Sequence, residues 1–415
     1  MTGFSIFFVG LLVLTVITRL WLSFRQTNYV SAHRDRVPDP FSTSISLADH
    51  QKAADYTCAR ALPARIGIAL DSLVLLAWTL GGGLAFLDIT LSGSISNDLL
   101  AGAAVLISLF LISALVNLPI SIWSTFGVEQ RFGFNRTTVR TFVSDLLKGM
   151  MLLLLFGVPL ALAALWFMRN SGSLWWLYLW IMWSVFTLFI TWAWPAFIAP
   201  MFNKFEPLQD ENLRQKIEAL LNRCGFRSQG IFVMDGSKRS AHGNAYFTGL
   251  GNNKRIVFFD TLVETLSPDE IEAVLAHELG HFRLRHVRKR LVLGFIASFL
   301  ILALLGWLAG QSWFYSGLGI DQPSNHTTLA LFILVLPVFM YFLTPIGSWY
   351  SRRHEFEADI YATQHAQRDD MVGALVSLYR ENASTLTPDP LHSAFYDSHP
   401  PAITRISHLQ QVTET

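Results

Sequence analysis

Apolar residues in this chain run in long unbroken blocks, without the 3.6-residue spacing of an amphipathic helix or the alternation of a half-buried strand. Seven blocks reach the length of about 20 residues that a helix needs to cross a hydrocarbon core. They lie at 4–22, 66–87, 99–123, 146–167, 175–199, 291–310 and 329–349. A helix apolar on every side has no face to give to water, so each block predicts a membrane span. The first block follows an uncharged start and no small-residue cleavage site comes after it, which predicts a retained span, not a removed leader. Two polar stretches, 200–290 and 350–415, are long enough to fold outside the membrane. Each is small alone, so they are expected to pack together beneath the last two spans. The expected organisation is five spans with their loops in 1–199, a polar region in 200–290, two spans in 291–349 and a second polar region in 350–415. Gly81-Gly82-Gly83 falls inside a block and is read as a helix-packing feature, not a phosphate loop.

Composition agrees. Hydrophobic residues make up 52% of the 415 and charged residues 15%, where a soluble globular chain carries about 25% charge. Disordered, collagen-like and disulfide-rich classes are excluded, and a purely soluble enzyme is disfavoured. The net charge of +1 offers nothing that nucleic acid would seek. The two cysteines, Cys58 and Cys224, read as ordinary thiols.

The position of the charge is more informative than its sum. Of 31 Lys and Arg, six lie in 23–65, four in 124–148, fourteen in 200–290 and five after 350. The intervening loops 88–98 and 311–328 carry none, and 168–174 carries only Arg169. Basic residues therefore alternate from loop to loop, as they do when retained in the cytoplasm. Seven crossings then place the N-terminus outside and the C-terminus, with both polar regions, in the cytoplasm.

The chemistry concentrates in two short segments. Residues 267–281 read SPDEIEAVLAHELGH. Ser267 and Glu270 form a capping box, and Pro268 occupies the first helical position, where its missing N–H costs nothing. Ile271, Val274, Leu275 and Leu279 make an apolar stripe at helical spacing. His277 and His281, four apart, project from one face and can share a metal ion, while Glu278 can reach a water on it. This is the H-E-x-x-H pattern of zinc metalloproteases. Catalytic zinc keeps three protein ligands and an open position. The third ligand is expected in SRRHEFEAD, residues 351–359. Glu355 and Asp359 share a helix face there, so Glu355 is assigned as ligand and Asp359 as acceptor for a ligand imidazole N–H. Glu357 points elsewhere. Taken alone, this segment also reads as a charged juxtamembrane helix anchored by Arg352 and Arg353.

AYFTG at 245–249 and RIVFFD at 255–260 predict two strands of a hairpin, with its turn at Gly251-Asn252-Asn253. An edge strand beside a catalytic helix could take an extended peptide by strand addition, or merely complete a small sheet. His242, His286, His354, His365, His392 and His408 lack a partnered spacing and are expected at the surface.

With these segments in view, the chain resembles the type I CAAX prenyl proteases, the sterile-24-type integral-membrane zinc metallopeptidases. The likeness rests on EQRFGFNRTT (129–138), MFNKFEPL (201–208), SAHGNAYFTGL (240–250), HELGH (277–281), SRRHEFEAD (351–359) and SHPPAITRI (398–406). It implies zinc ligands at His277, His281 and Glu355, one ion per chain, and a catalytic glutamate at Glu278. It implies that Asn244 holds the substrate backbone and that His399 and Arg405 support the substrate carbonyl or the transition state. Family structures resemble a cage of seven helices around a water-filled chamber, and eukaryotic members remove the last three residues of prenylated CAAX proteins. The compact chain, ending VTET without a dilysine-type signal, is more similar to a bacterial member, which predicts a bacterial inner membrane.

The sequence thus predicts an all-α membrane protein of seven spans with a cytoplasmic α+β zinc metalloprotease domain. It would hydrolyse proteins or peptides that approach the bilayer, with or without a prenyl group. Two alternatives are a quality-control metalloprotease with no lipid requirement, and a seven-helix transporter or receptor whose zinc is structural. Against the second, Asp71 and Asp145 fall near predicted cytoplasmic ends, whereas transport usually leaves ionisable groups at mid-membrane.

Overall fold

The computed structural model describes residues 2–226, 228, 230–248 and 255–411. Seven helices among them are long and apolar enough to cross a membrane: Gly3–Ala32, Leu47–Trp78, Asp98–Glu129, Val139–Asn170, Gly172–Phe202, His286–Leu308 and Asn325–Thr363. Most exceed the apolar blocks because polar residues continue the helical hydrogen bonding past the membrane. A helix of 32 residues such as the third is about 48 Å long, against about 30 Å of hydrocarbon. The seventh helix uses this surplus directly. Its apolar half spans, and its polar half carries SRRHEFEAD clear of the bilayer.

The second block departs from expectation. Its helix stops at Trp78 and a separate helix, Gly83–Ser94, follows where a loop was expected. The three glycines make the break. Gly81 N–H donates to Leu76 O at 2.8 Å and Gly82 adopts φ +74°, a conformation that side chains disfavour. A Cβ on Gly83 would lie 2.7 Å from Ala77 O. The triplet is a tight turn, not a helix–helix contact.

Burial is uneven across the spans. In the third and seventh, 39% of the apolar window is buried, but in the fourth, fifth and sixth only 11%, 17% and 11%. The fourth, fifth and sixth spans therefore pack less against the rest of the protein than the third and seventh do.

Outside the membrane, four strands form one sheet in the order β1 (Phe205–Pro207), β2 (Ile231–Met234), β4 (Arg255–Phe259), β3 (Ala245–Thr248). β2 and β4 are parallel, while β1–β2 and β3–β4 are antiparallel, with Ala245 opposite Phe258 and Phe247 opposite Ile256. The expected pairing is therefore present over 245–248 and 255–258, and among the described residues β3 is an edge strand. The expected turn at 251–253 lies outside the described residues. A single apolar core joins the two polar regions: Leu213, Ile217, Phe258, Leu275 and Leu279 pack with Ala362, Met371, Leu375, Ile406 and Leu409. Asp389, almost fully buried, ties this domain to the first span. It accepts from Arg25 Nη2 at 2.8 Å and caps the helix Pro390–Tyr396 through Leu391 and His392 N–H.

Candidate metal centre

The helix Pro268–Arg283 begins as its sequence predicts. Ser267 Oγ accepts from Glu270 N–H and Glu270 Oε2 accepts from Ser267 N–H at 2.8 Å. Its apolar stripe faces the shared core, which leaves His277 and His281 turned toward the seventh helix. The two helices meet at Gly280, where an added Cβ would lie 3.1 Å from Ala358 Cα and 3.2 Å from Ala358 O. A side chain there would push the helices apart by a few tenths of an ångström, so the glycine permits the close approach that brings Glu355 across to the histidines.

Three donor atoms converge there. His277 Nε2 lies 3.2 Å from His281 Nε2. Glu355 Oε2 lies 3.4 Å from His277 Nε2, and Glu355 Oε1 lies 3.3 Å from His281 Nε2. Atoms bound at about 2.0–2.1 Å to a tetrahedral ion stand about 3.3 Å apart, so the triangle has the size of a metal's ligand set. Glu355 is 3% exposed and its Oε2 accepts no hydrogen bond. An orphaned carboxylate oxygen costs free energy unless a cation meets it. The residues fit a metal ion, and among the described residues no fourth protein ligand joins them.

Asp359 stands directly behind this triangle, fully buried. Its Oδ1 accepts from His277 Nδ1 at 2.8 Å, and Arg405 donates to both its oxygens at 2.5 and 2.9 Å. Arg405 is itself 6% exposed and lies on the Nδ1 side of His277, away from the Nε2 that faces Glu355. Burial opposes a charged His277, but the hydrogen bond it donates to Asp359 and the nearby Glu355 carboxylate outweigh it and raise its pKa to about 9. Burial, reinforced by that neighbouring charge, holds His281 down to about 3. Without a metal, one proton on His277 thus supplies the positive charge that the carboxylates demand. Burial also pushes the Glu278 carboxyl up from the ordinary glutamate range, toward what a base working near neutral pH needs.

His399 is exposed, with Nε2 3.4 Å from Glu355 Oε2. It thus borders the triangle at an edge open to solvent. Asn244 is exposed at the start of β3, and its backbone carbonyl accepts from Phe259 N–H at 2.9 Å. β3 in turn packs on the HELGH helix.

The expectation of surface histidines needs correction. None of the six is exposed, and two are buried beside the centre: His286 at 0% and His354 at 2%. His286 Nδ1 faces His281 Nδ1 at 2.9 Å, while its Nε2 donates to Glu357 Oε2 at 2.9 Å. Spacing could not reveal this, because Arg285, in a left-handed conformation at φ 59°, turns the chain between the two helices. The one available signal was the third histidine itself, five residues after His281.

A family model described as CAAX prenyl protease N-terminal, five membrane helices, matches residues 26–204, and one described as peptidase family M48 matches residues 207–413. CAAX prenyl protease 1 of Saccharomyces cerevisiae is 38% identical over 321 residues, spanning 73% of this chain and 70% of the yeast protein. The Caenorhabditis elegans CAAX prenyl protease 1 homolog is 31% identical over 438 residues, spanning 98% of each. The crystal structure of S. mikatae Ste24p superposes with a TM-score of 0.92 at 29% identity, over 99% of both chains.

Proposed function

Because this chain belongs to peptidase family M48, with the five-helix N-terminal region of CAAX prenyl proteases, we propose that it cuts prenylated CAAX-type substrates at a zinc centre held by His277, His281 and Glu355. It is a multi-pass membrane metalloprotease whose substrates are proteins or peptides. The observation that carries the site assignment is the triangle of donor atoms at 3.2 to 3.4 Å with its orphaned carboxylate oxygen.

Zinc, when bound, supplies a Lewis acid for the scissile carbonyl and lowers the pKa of a water to about 7. The remaining work falls to the chain. Glu278 takes a proton from the attacking water and returns it to the leaving amine. His399, on the open side, donates to the oxyanion that develops on the carbonyl. Asn244 and the free edge of β3 hold the peptide extended beside the helix, since an edge strand offers a row of unpaired backbone groups. Arg405 acts at one remove, clamping Asp359 so that His277 keeps its proton on Nδ1 and its lone pair on Nε2. The distribution of basic residues supports a cytoplasmic protease domain with the N-terminus outside, where substrates tethered to the bilayer would meet it.

The test compares wild type with Glu278→Gln on a prenylated peptide and its unmodified twin, with zinc content measured in both. Retained zinc with activity lost in the variant is the expected result. Unchanged activity in the variant would sink the assignment of the base. Equal rates on the two peptides would remove the lipid requirement and leave a general membrane protease.

A further inference from the structure

His286 is hydrogen-bonded at both ring nitrogens, and with that ring neutral only one placement of protons satisfies the set. Glu357 Oε2 accepts, so His286 Nε2 carries the proton. His286 Nδ1 is then a bare acceptor, and the atom 2.9 Å away, His281 Nδ1, must be the donor. That leaves the lone pair of His281 on Nε2, the atom facing His277 and Glu355.

We propose that His286 and Glu357 form a relay that fixes the tautomer and ring angle of His281 for metal binding, with His354 stacked behind as its backing plate. This rests on reading His281 as a ligand. The His354 ring lies parallel to His286 at 4.0 Å and 9°, and Tyr350 meets His354 edge-on at 4.4 Å. The plane of His286 is therefore set from behind, and the plane of His286 sets the line along which His281 donates.

His286, His354 and Glu357 are close enough to one another to suggest a second ion. The stack argues against it. Imidazole lone pairs lie in the ring planes, and two parallel planes about 4 Å apart cannot converge on one ion at about 2.0 Å. The two ligand histidines are thus supported unequally. His277 reaches a carboxylate directly, in Asp359, itself clamped by Arg405. His281 reaches one through another ring, and Glu357 is partly open to solvent, where it also accepts from Arg353 Nε at 3.2 Å.

The test measures zinc affinity of the full-length protein in detergent by chelator competition, beside helix content and the thermal midpoint of the metal-free form. Loss of an acceptor behind a metal-bound histidine weakens binding about 10- to 100-fold. His286→Phe fills the volume without an acceptor and should show that loss. His286→Asn keeps an oxygen for His281 and should recover most of the affinity, which a merely space-filling role would not predict. Wild-type affinity in His286→Phe, or equal loss in Asn and Phe, overturns the relay. If His286→Phe fails to fold, Glu357→Leu decides, since it leaves the His286 Nε2–H without an acceptor: weakened zinc binding supports the relay and unchanged binding refutes it. Glu355→Gln is the control for the ligand set, because zinc retained at wild-type affinity there would mean that the centre itself is misread.

Discussion

Replacing Asp359 by Asn changes one atom's charge and almost no volume, at a position 0% exposed. Two consequences follow and they can be separated. Arg405, 6% exposed, loses the counter-ion to which it donates twice. Removing one partner of a buried ion pair costs about 3–5 kcal/mol, because the other charge is stranded. His277 also loses its carboxylate acceptor, for which about 10- to 100-fold in metal affinity is the usual loss, or about 1.4–2.7 kcal/mol. Adding Arg405→Met removes the stranded charge, and a buried pair exchanged for apolar groups is often close to neutral. The double variant Asp359→Asn/Arg405→Met is therefore expected to regain most of the thermal stability of the metal-free protein. It should not regain full zinc affinity, since His277 then donates to a neutral amide oxygen where a charged carboxylate stood. The assays are thermal melting in detergent with a chelator present, and zinc competition titration on the same samples. Recovery of both properties together would show that Asp359 serves only Arg405, and the tautomer argument for His277 would fail.

Four further outcomes follow from the structure. Gly280→Ala adds a methyl 3.1 Å from Ala358 Cα; helix propensity gains up to about 1 kcal/mol while overpacking costs about 1–3 kcal/mol, so stability should fall modestly and zinc affinity more clearly, as read by melting and titration. The His277 pKa of about 9 requires zinc to displace a proton, so affinity should fall about tenfold per pH unit from pH 9 to pH 7; a flat profile counts against the assignment. The same shift lies above the ordinary 6.5, so the metal-free fold should hold its full benefit below about pH 6.5 and lose it as pH rises through about 9, visible as a falling thermal midpoint. Asp389→Ala removes a helix cap and the Arg25 clamp; the cap alone is worth about 0.5–2 kcal/mol, and limited proteolysis of 380–411 should accelerate if the clamp holds that segment to the first span.

The spans and the capped HELGH helix were legible because both follow from short-range periodicity. Hydrophobic length reports membrane crossing, and residues four apart share a helix face whatever the rest of the chain does. Glu355 and Asp359 could be paired with His277 for the same reason, once a third ligand was demanded. What sequence could not supply was contact between segments. Gly280 and Ala358 carry no chemical signal, yet their approach sets the distance between ligands. His286 looked like a surface residue because its partners, His281 and Glu357, come from either side of a reversal in the chain. Gly81-Gly82-Gly83 was misread because a helix-packing glycine and a helix-ending glycine look alike until φ is known, and Gly82 takes +74°.

The donor triangle draws on two places in the chain that are separated by the sixth and seventh spans. His277 and His281 precede the sixth, while Glu355 lies beyond the membrane-crossing half of the seventh. A nascent chain therefore emerges from the ribosome with its histidines long before its carboxylate. The two join only after the last hairpin of helices has entered the bilayer and returned. An incompletely inserted copy therefore holds only two of the three donors, its histidines, until the seventh span brings Glu355 to them.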